Sequence, residues 1–186
     1  KQDMKIHGTA KGGAISKKDF GVAFSGGNGG NDPHCFEDAN TSKGFNSNRS
    51  RAAQKITSSH TLAGKDISSV SIYTERNDAG SSGTCYVRIY NNSNSLIGTI
   101  GEVDITTLDV YVEPNVPDYE AVFTGTTVTM PSAGGYLSLD GVSGQQVYAL
   151  DENSTESNGV LSFYNPNNTT WTDQTDEGLK YCATYE

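Results

Sequence analysis

The sequence predicts an all-β domain, an antiparallel β-sandwich or barrel of about ten short strands. Apolar residues recur at every second position along the 186-residue chain, which is the period of a strand, and no segment shows the period of an amphipathic helix. Turn-forming pairs such as Asp140-Gly141 and Asn158-Gly159 separate these runs. Short strands divided by frequent turns are typical of sandwiches and barrels.

The alternation is clearest at residues 85–90, where Cys85, Val87 and Ile89 share one face and the intervening Tyr, Arg and Tyr share the other. We expect the first face to lie in the core and the second to point outward. Residues 70–74 alternate in the same way. Further strands are predicted at residues 20–24, 96–105, 119–130, 135–142, 146–151, 160–164 and 179–185.

The first 18 residues are predicted to form a separate strand-forming arm, and residues 19–186 the sandwich domain. Residues 4–11 alternate between an apolar and a polar face before Gly12-Gly13 break the pattern. The arm holds five Lys and one Asp, a charge of +4, whereas the rest of the chain carries −13. The expected subunit-contact residues of the arm are Met4, Lys5, Ile6, His7, Gly8 and Ala10.

The three cysteines of the chain predict one disulfide and one free thiol. Cys85 points inward if its strand alternates as described, whereas Cys182 alternates with apolar residues of the last strand and points outward. Side chains on opposite faces of a sheet cannot bridge. We therefore predict a Cys35–Cys182 disulfide that holds down the long polar loop expected at residues 25–50, with Cys85 as a buried thiol. A Cys35–Cys85 disulfide is the alternative.

Several short motifs follow one another in a set order between residues 53 and 186. They are ISSVSIY at residues 67–73, YVRIYN at 86–91, LIGT at 96–99, VDI at 103–105, Trp171, and LKY at 179–181. This order resembles that of jelly-roll domains in carbohydrate-binding modules and in bacterial, archaeal and phage surface proteins. The resemblance implies a jelly-roll sandwich, an extracellular setting and carbohydrate binding as one option.

Charge and hydropathy narrow the choice of partners. The net charge of −9 disfavours nucleic acid, because an acidic body repels a phosphate backbone. The chain has no apolar run of 18 residues, so no membrane insertion is expected. It opens with Lys1 and shows no signal peptide, which we interpret as an exported protein whose signal has been removed. We expect an extracellular or cell-surface location.

The sequence shows no arrangement of residues that predicts catalysis. His7, His34 and His60 lack the spacing of a zinc site, and neither a nucleophile elbow nor a phosphate-binding loop occurs. We therefore expect a protein that is not an enzyme and has no cofactor.

Structural calcium is the one metal for which the sequence offers ligands. Oxygen ligands could come from acids near residues 32–38, or from Asp173, Asp176 and Glu177 before the last strand. The alternative is that both groups are solvated acidic loops.

Trp171, the single tryptophan, is the centre of the predicted carbohydrate site. Aromatic faces stack on pyranose rings while amides and acids bind the hydroxyls, so Trp171, Tyr164, Asn168 and Asp173 form the candidate set. The alternative is that Trp171 closes one end of the sandwich.

Six Asn-X-Ser/Thr sequons also predict a glycosylated surface protein, although polar loops rich in Asn and Ser would produce some by chance. They begin at Asn40, Asn48, Asn91, Asn153, Asn167 and Asn168.

Two functions from different classes follow from these observations. The first is a structural subunit of a surface filament, appendage or coat, whose basic arm is donated as a β-strand to the acidic body of a neighbouring copy. The second is a carbohydrate-binding module or lectin-like adhesin that uses the Trp171 region. The expected partner is a further copy of the chain in the first case and a polysaccharide or cell-surface glycan in the second.

Overall fold

The computed structural model describes residues 33–37, 39–113, 115–152 and 159–186. The predictions for the arm, including those for Met4, Lys5, Ile6, His7, Gly8 and Ala10, lie outside the described residues. So do the strand predicted at residues 20–24 and the sequon at Asn153.

Thirteen β-strands and one 3-10 turn (Ile105–Thr107) make up the regular structure of the described residues. The strands are β1 (His34–Phe36), β2 (Thr41–Gly44), β3 (Arg51–Thr57), β4 (Asp66–Arg76), β5 (Thr84–Asn91), β6 (Leu96–Asp104), β7 (Glu120–Thr129), β8 (Gly134–Asp140), β9 (Gln146–Asp151), β10 (Gly159–Asn165), β11 (Thr170–Gln174), β12 (Gly178–Leu179) and β13 (Tyr181–Tyr185). In this part of the chain no helix is long and apolar enough to cross a membrane.

The strands form two antiparallel sheets that face each other across a shared core. One sheet has six strands in the order β11-β10-β3-β8-β5-β6. The other has seven, in the order β1-β13-β4-β9-β12, with β2 paired to β9 and β7 paired to β4. The prediction of an all-β antiparallel sandwich is therefore confirmed.

The core follows the alternation that the sequence predicts. Cys85, Val87 and Ile89 of β5 are fully buried between the sheets, as are Tyr181 and Ala183 of β13. Because side chains of a strand point alternately to its two faces, the residues between these positions lie on the outer faces. Burial of this continuous apolar layer supplies the main stabilising free energy of the domain.

One side of the sandwich is closed where the edge strands β6 and β7 approach each other. At Gly101 of β6, a β-carbon would lie 2.5 Å from the backbone nitrogen of Thr124 in β7, which is closer than atoms can pack. Glycine is therefore required for the backbones to come this close. The contact brings the two sheets together along one edge.

The strand count is higher than predicted, and the prediction of an unbroken loop at residues 25–50 is wrong in its described part. This segment contributes β1 and β2, which pair with β13 and β9 at the edge of the seven-stranded sheet. Both strands are short, and β2 has the polar sequence Thr-Ser-Lys-Gly. Such strands are held by backbone hydrogen bonds to an edge, so they leave no apolar periodicity in the sequence.

The predicted Cys35–Cys182 disulfide is confirmed. Cys35 of β1 lies directly opposite Cys182 of β13 in the register of the antiparallel pair, with their Cα atoms 4.0 Å apart. Cys85 is free and buried, as predicted. Burial raises the pKa of the Cys85 thiol to about 12, so the thiol stays protonated and unreactive at neutral pH.

Candidate functional site: an outer aromatic surface and the anchored edge of the sheet

Trp171 lies on the outer face of the six-stranded sheet. It belongs to the edge strand β11, where it stands opposite Tyr164 of β10. Its neighbours include Ala53 of β3, which points away from the main core, whereas the adjacent Ala52 points into it. Trp171 therefore does not close an end of the sandwich, and that alternative is wrong.

Four aromatic residues, Tyr90, Tyr136, Tyr164 and Trp171, form what we call the aromatic surface. The Trp171 indole stacks on Tyr136, with ring centroids 4.2 Å apart and planes 5° from parallel. The centroid of the indole lies 5.3 Å from that of the Tyr164 ring and 6.1 Å from that of the Tyr90 ring, and both tyrosine rings are steeply inclined to it. The indole Nε1–H donates a hydrogen bond of 3.0 Å to Oδ1 of Asn94, which fixes the ring in plane.

Arg51 of β3 holds the tyrosines of the aromatic surface together. Its guanidinium lies 4.3 Å from the ring centroid of Tyr90 and 4.1 Å from that of Tyr164. The same guanidinium donates to Asn94 Oδ1 at 3.1 Å, so Asn94 receives hydrogen bonds from both Arg51 and Trp171. Cation–π contacts of this kind are stabilising by about 0.5–2 kcal/mol each.

Asp140 of β8 is the acidic centre beneath these groups. It is buried, and its carboxylate accepts hydrogen bonds from the Tyr90 hydroxyl at 2.6 Å, from Arg88 Nη1 at 3.0 Å and from the Ser138 hydroxyl at 2.7 Å. Burial raises the pKa of Tyr90, and the Asp140 charge raises it further, so Tyr90 is a neutral donor at physiological pH. Burial alone would lower the pKa of Arg88, but Asp140 raises it.

The aromatic surface has the chemistry of a binding surface. Outer faces of antiparallel sheets are usually polar and solvated, whereas this one carries four aromatic rings in contact over a buried ionic network. Three of the rings are buried by their neighbours, and Trp171 is partly exposed above them. A rigid, partly exposed indole flanked by amide and guanidinium groups can stack on an apolar ring face and satisfy hydroxyls at its rim.

The other two residues of the predicted carbohydrate set lie nearby but are engaged elsewhere. Asn168 is exposed in the turn between β10 and β11, where its Oδ1 accepts a hydrogen bond from the Thr170 hydroxyl at 2.7 Å. Asp173 lies two residues beyond Trp171 and binds Lys55 at 2.5 Å and Ser162 at 2.6 Å. The hydrogen bond to Asp173 raises the pKa of Lys55.

Asp173, Asp176 and Glu177 do not form one cluster of metal ligands, and Asp32 and Asp38 lie outside the described residues. Asp173 pairs with Lys55, and Glu177 pairs with Lys43 at 2.6 Å. Among the described residues, metal-ligating side chains converge within 4.8 Å only at Cys35, Glu37 and Cys182, where the disulfide removes both thiolates. Calcium at Asp173, Asp176 and Glu177 stays a prediction.

Five of the six sequon asparagines are described, and they are exposed or partly exposed. Asn48 and Asn167 contact each other, with Asn167 Nδ2 donating to Asn48 Oδ1 at 2.8 Å. Asn40 Nδ2 donates to Asp151 at 2.9 Å. Asn91 accepts hydrogen bonds from Ser93 and Ser95 in a turn. Asn168 lies in the turn before β11, and glycosylation of all of these residues stays a prediction.

The second candidate surface is the edge of the seven-stranded sheet where β1 lies. Among the described strands, β1 pairs with β13 on one side only. The Cys35–Cys182 disulfide ties this strand covalently to the last strand of the domain. A chain segment that precedes Cys35 is thus anchored to a fixed point at the edge of the sheet.

The sequence identifies Trp171 and Tyr164 as candidate site residues but does not identify most of their partners. Tyr90 lies on the face that the alternation predicts to point outward, and this is a usable signal because a large aromatic residue on a solvated face is unusual. Arg51, Tyr136 and Asp140 gave no comparable signal. They lie on β3 and β8 and meet side chains of β5, β10 and β11, so their contacts depend on the register of five strands.

No family model, no curated protein and no solved structure matches the chain. The resemblance to jelly-roll domains therefore stays a prediction.

Proposed function

We propose that the protein is a non-catalytic structural subunit of an extracellular filament, appendage or coat. Each subunit donates its N-terminal strand, residues 4–11, to a neighbouring copy. The observation that carries this proposal is the Cys35–Cys182 disulfide, which supports a covalent anchor between the segment that follows the arm and the last strand of the domain. A pulling force on a donated arm would therefore be transmitted through the disulfide to the sandwich.

The charge of the arm, and the length of the segment that connects it to Cys35, agree with donation to a neighbour. Residues 12–34 separate the donated strand from Cys35, and at full extension they span about 75 Å, which exceeds the diameter of one domain. The arm carries +4 against −13 for the rest of the chain, so attraction between an arm and a neighbouring body favours head-to-tail assembly. Backbone pairing would supply affinity, and Met4 and Ile6 would supply specificity.

A competition assay tests this proposal. A peptide with the sequence of residues 1–18, added in excess to the full chain, should occupy the acceptor sites and shorten the polymers. A control peptide with Met4→Ser and Ile6→Ser keeps the charge but loses the apolar face, and it should have little effect. Polymers that keep their length at saturating native peptide would rule out strand donation by the arm.

We propose carbohydrate binding at the aromatic surface as a second candidate function. The observation that favours it is the partly exposed Trp171 indole, held rigid by stacking on Tyr136 and by its hydrogen bond to Asn94. An immobilised ring loses little side-chain entropy on binding, which favours the shallow stacking sites that sugars use.

Replacement of Trp171 by alanine should reduce binding to a polysaccharide roughly tenfold or more, because the stacking face is lost. Affinity is measured by pull-down or titration against the glycan that the unmodified protein binds best on an array. Tyr185→Ala in the other sheet is the control, since Tyr185 is also a partly exposed aromatic residue. Equal affinity of Trp171→Ala and the unmodified protein would remove Trp171 from the site.

A further inference from the structure

A groove of about 480 Å³ lies where the end of β4 meets the segment between the 3-10 turn and β7. Three of its lining residues are valines, Val110, Val112 and Val116, and three are acids, Glu75, Asp109 and Asp118; Asn115 completes the lining. We call it the acid–valine groove. It lies outside both the aromatic surface and the anchored edge at β1.

The valines of the groove are unusually exposed. Val112 is 62% exposed and Val110 is 38% exposed, and they are two of the five large apolar residues with this much exposure among the described residues. Neighbouring exposed valines beside a sheet mark a contact surface more often than isolated ones do, because burying their exposed apolar area would stabilise a complex.

Among the residues that the structure describes, no backbone group pairs with the N–H and C=O of Val110 beside the groove. The Arg76 N–H donates to the Asp109 carbonyl at 2.9 Å, and the Tyr111 N–H donates to the Arg76 carbonyl at 2.8 Å. Alternate residues of a strand direct their N–H and C=O groups to opposite sides, so those of Val110 point away from β4. An incoming strand can pair with this side and extend the sheet.

The charge of the groove matches that of the arm. Asp109 and Asp118 are exposed, while Glu75 is buried and accepts a hydrogen bond of 3.0 Å from the Asp118 N–H, which fixes the segment against β4. An occupant with alternating apolar and cationic side chains would satisfy both the valines and the carboxylates. Residues 4–11 have that pattern, with Met4 and Ile6 on one face and Lys5 and Lys11 on the other.

We infer that the acid–valine groove is the acceptor for residues 4–11 of a neighbouring copy. Met4 and Ile6 pack against Val110 and Val112, the arm pairs with the free edge at Val110, and the arm lysines lie near Asp109 and Asp118. The inference rests on the proposed function, because it names the site that receives the donated strand.

Photocrosslinking in the full chain tests the assignment. A photoreactive phenylalanine analogue at position 6 should crosslink to peptides that contain residues 109–118, and mixing isotopically labelled with unlabelled chains shows whether the crosslink joins two copies. Polymers with intermolecular crosslinks elsewhere would overturn the groove assignment and keep the proposed function. Intramolecular crosslinks without polymers would overturn both.

A charge substitution at the groove gives an independent readout. Val112→Asp should raise the concentration needed for assembly by roughly tenfold or more, because it places a charge where an apolar side chain should pack. Val122→Asp, at an exposed valine of β7 that does not line the groove, is the matched control and should assemble like the unmodified chain. Equal assembly of both variants, with equal thermal stability, would overturn the assignment.

Discussion

Deletion of residues 1–18 is expected to convert polymers of this protein into soluble monomers. If each subunit joins its neighbour through this arm, the deletion removes every intersubunit backbone hydrogen bond and the burial of Met4 and Ile6. Burial of two such side chains contributes about 3–6 kcal/mol, which corresponds to at least a hundredfold in affinity. Light scattering after size-exclusion chromatography measures the change directly.

The deletion should leave the domain folded, which separates loss of assembly from loss of structure. All residues of the described core lie between Phe45 and Ala183, so the melting temperature should change by only a few degrees. The paired substitution Met4→Asp with Ile6→Asp should act like the deletion. Thr9→Ser, on the polar face and outside the expected contact residues, is the control and should still polymerise. Polymers formed by the deleted chain would refute donation by the arm.

Removal of the Cys35–Cys182 disulfide should cause the second large effect, a loss of roughly 3–5 kcal/mol in the free energy of unfolding. The bond links residues separated by 147 positions, so it restricts nearly the whole unfolded chain. For a domain of this size, that loss lowers the melting temperature by roughly 10 °C. The double substitution Cys35→Ser with Cys182→Ser, followed by thermal unfolding, measures it.

A reductant provides the control for the disulfide. The unmodified protein should lose the same stability when it is reduced, whereas the double serine variant should not respond, because the remaining Cys85 is already a buried thiol. A melting temperature that stays within about 1 °C on full reduction would contradict a structural role for the bond. If subunits polymerise by donating the arm, reduction should also weaken polymers under tension, because it breaks the covalent link between the segment after the arm and β13.

The fold could be predicted where one face of a strand is buried. The alternation at residues 85–90 places Cys85 in the core, and the alternation of the last strand leaves Cys182 facing outward to meet Cys35. Strands β1 and β2 could not be predicted, because they lie at a sheet edge and are specified by their partners β13 and β9. Strand β11 was also missed, since it carries Trp171 among polar residues and has no buried side.

The candidate site could be predicted less completely than the fold. Trp171 and Tyr164 are close in sequence and lie opposite each other across one turn. Their proximity in the sequence is therefore enough to group them. The contact of Trp171 with Tyr136, and that of Arg51 with Tyr90, join strands that are far apart in sequence. Those contacts follow from strand order and register, which no local pattern encodes.

The two proposed functions use different surfaces and are compatible. The aromatic surface lies on the outer face of the six-stranded sheet, whereas β1 and the acid–valine groove belong to the seven-stranded sheet and its continuation at Val110. A filament whose subunits each expose Trp171 would present many weak sites in a row. Multivalent presentation of that kind raises avidity for a polymeric glycan by orders of magnitude without any new contact.

The measurement that tests the central claim most directly is negative-stain microscopy combined with light scattering on the unmodified full chain, purified without denaturant. The account predicts filaments or a ladder of large species whose lengthening requires residues 1–18. A uniform population of monomers across a wide range of concentration would contradict it, and carbohydrate binding at the aromatic surface would then be the leading proposal for the function of the protein.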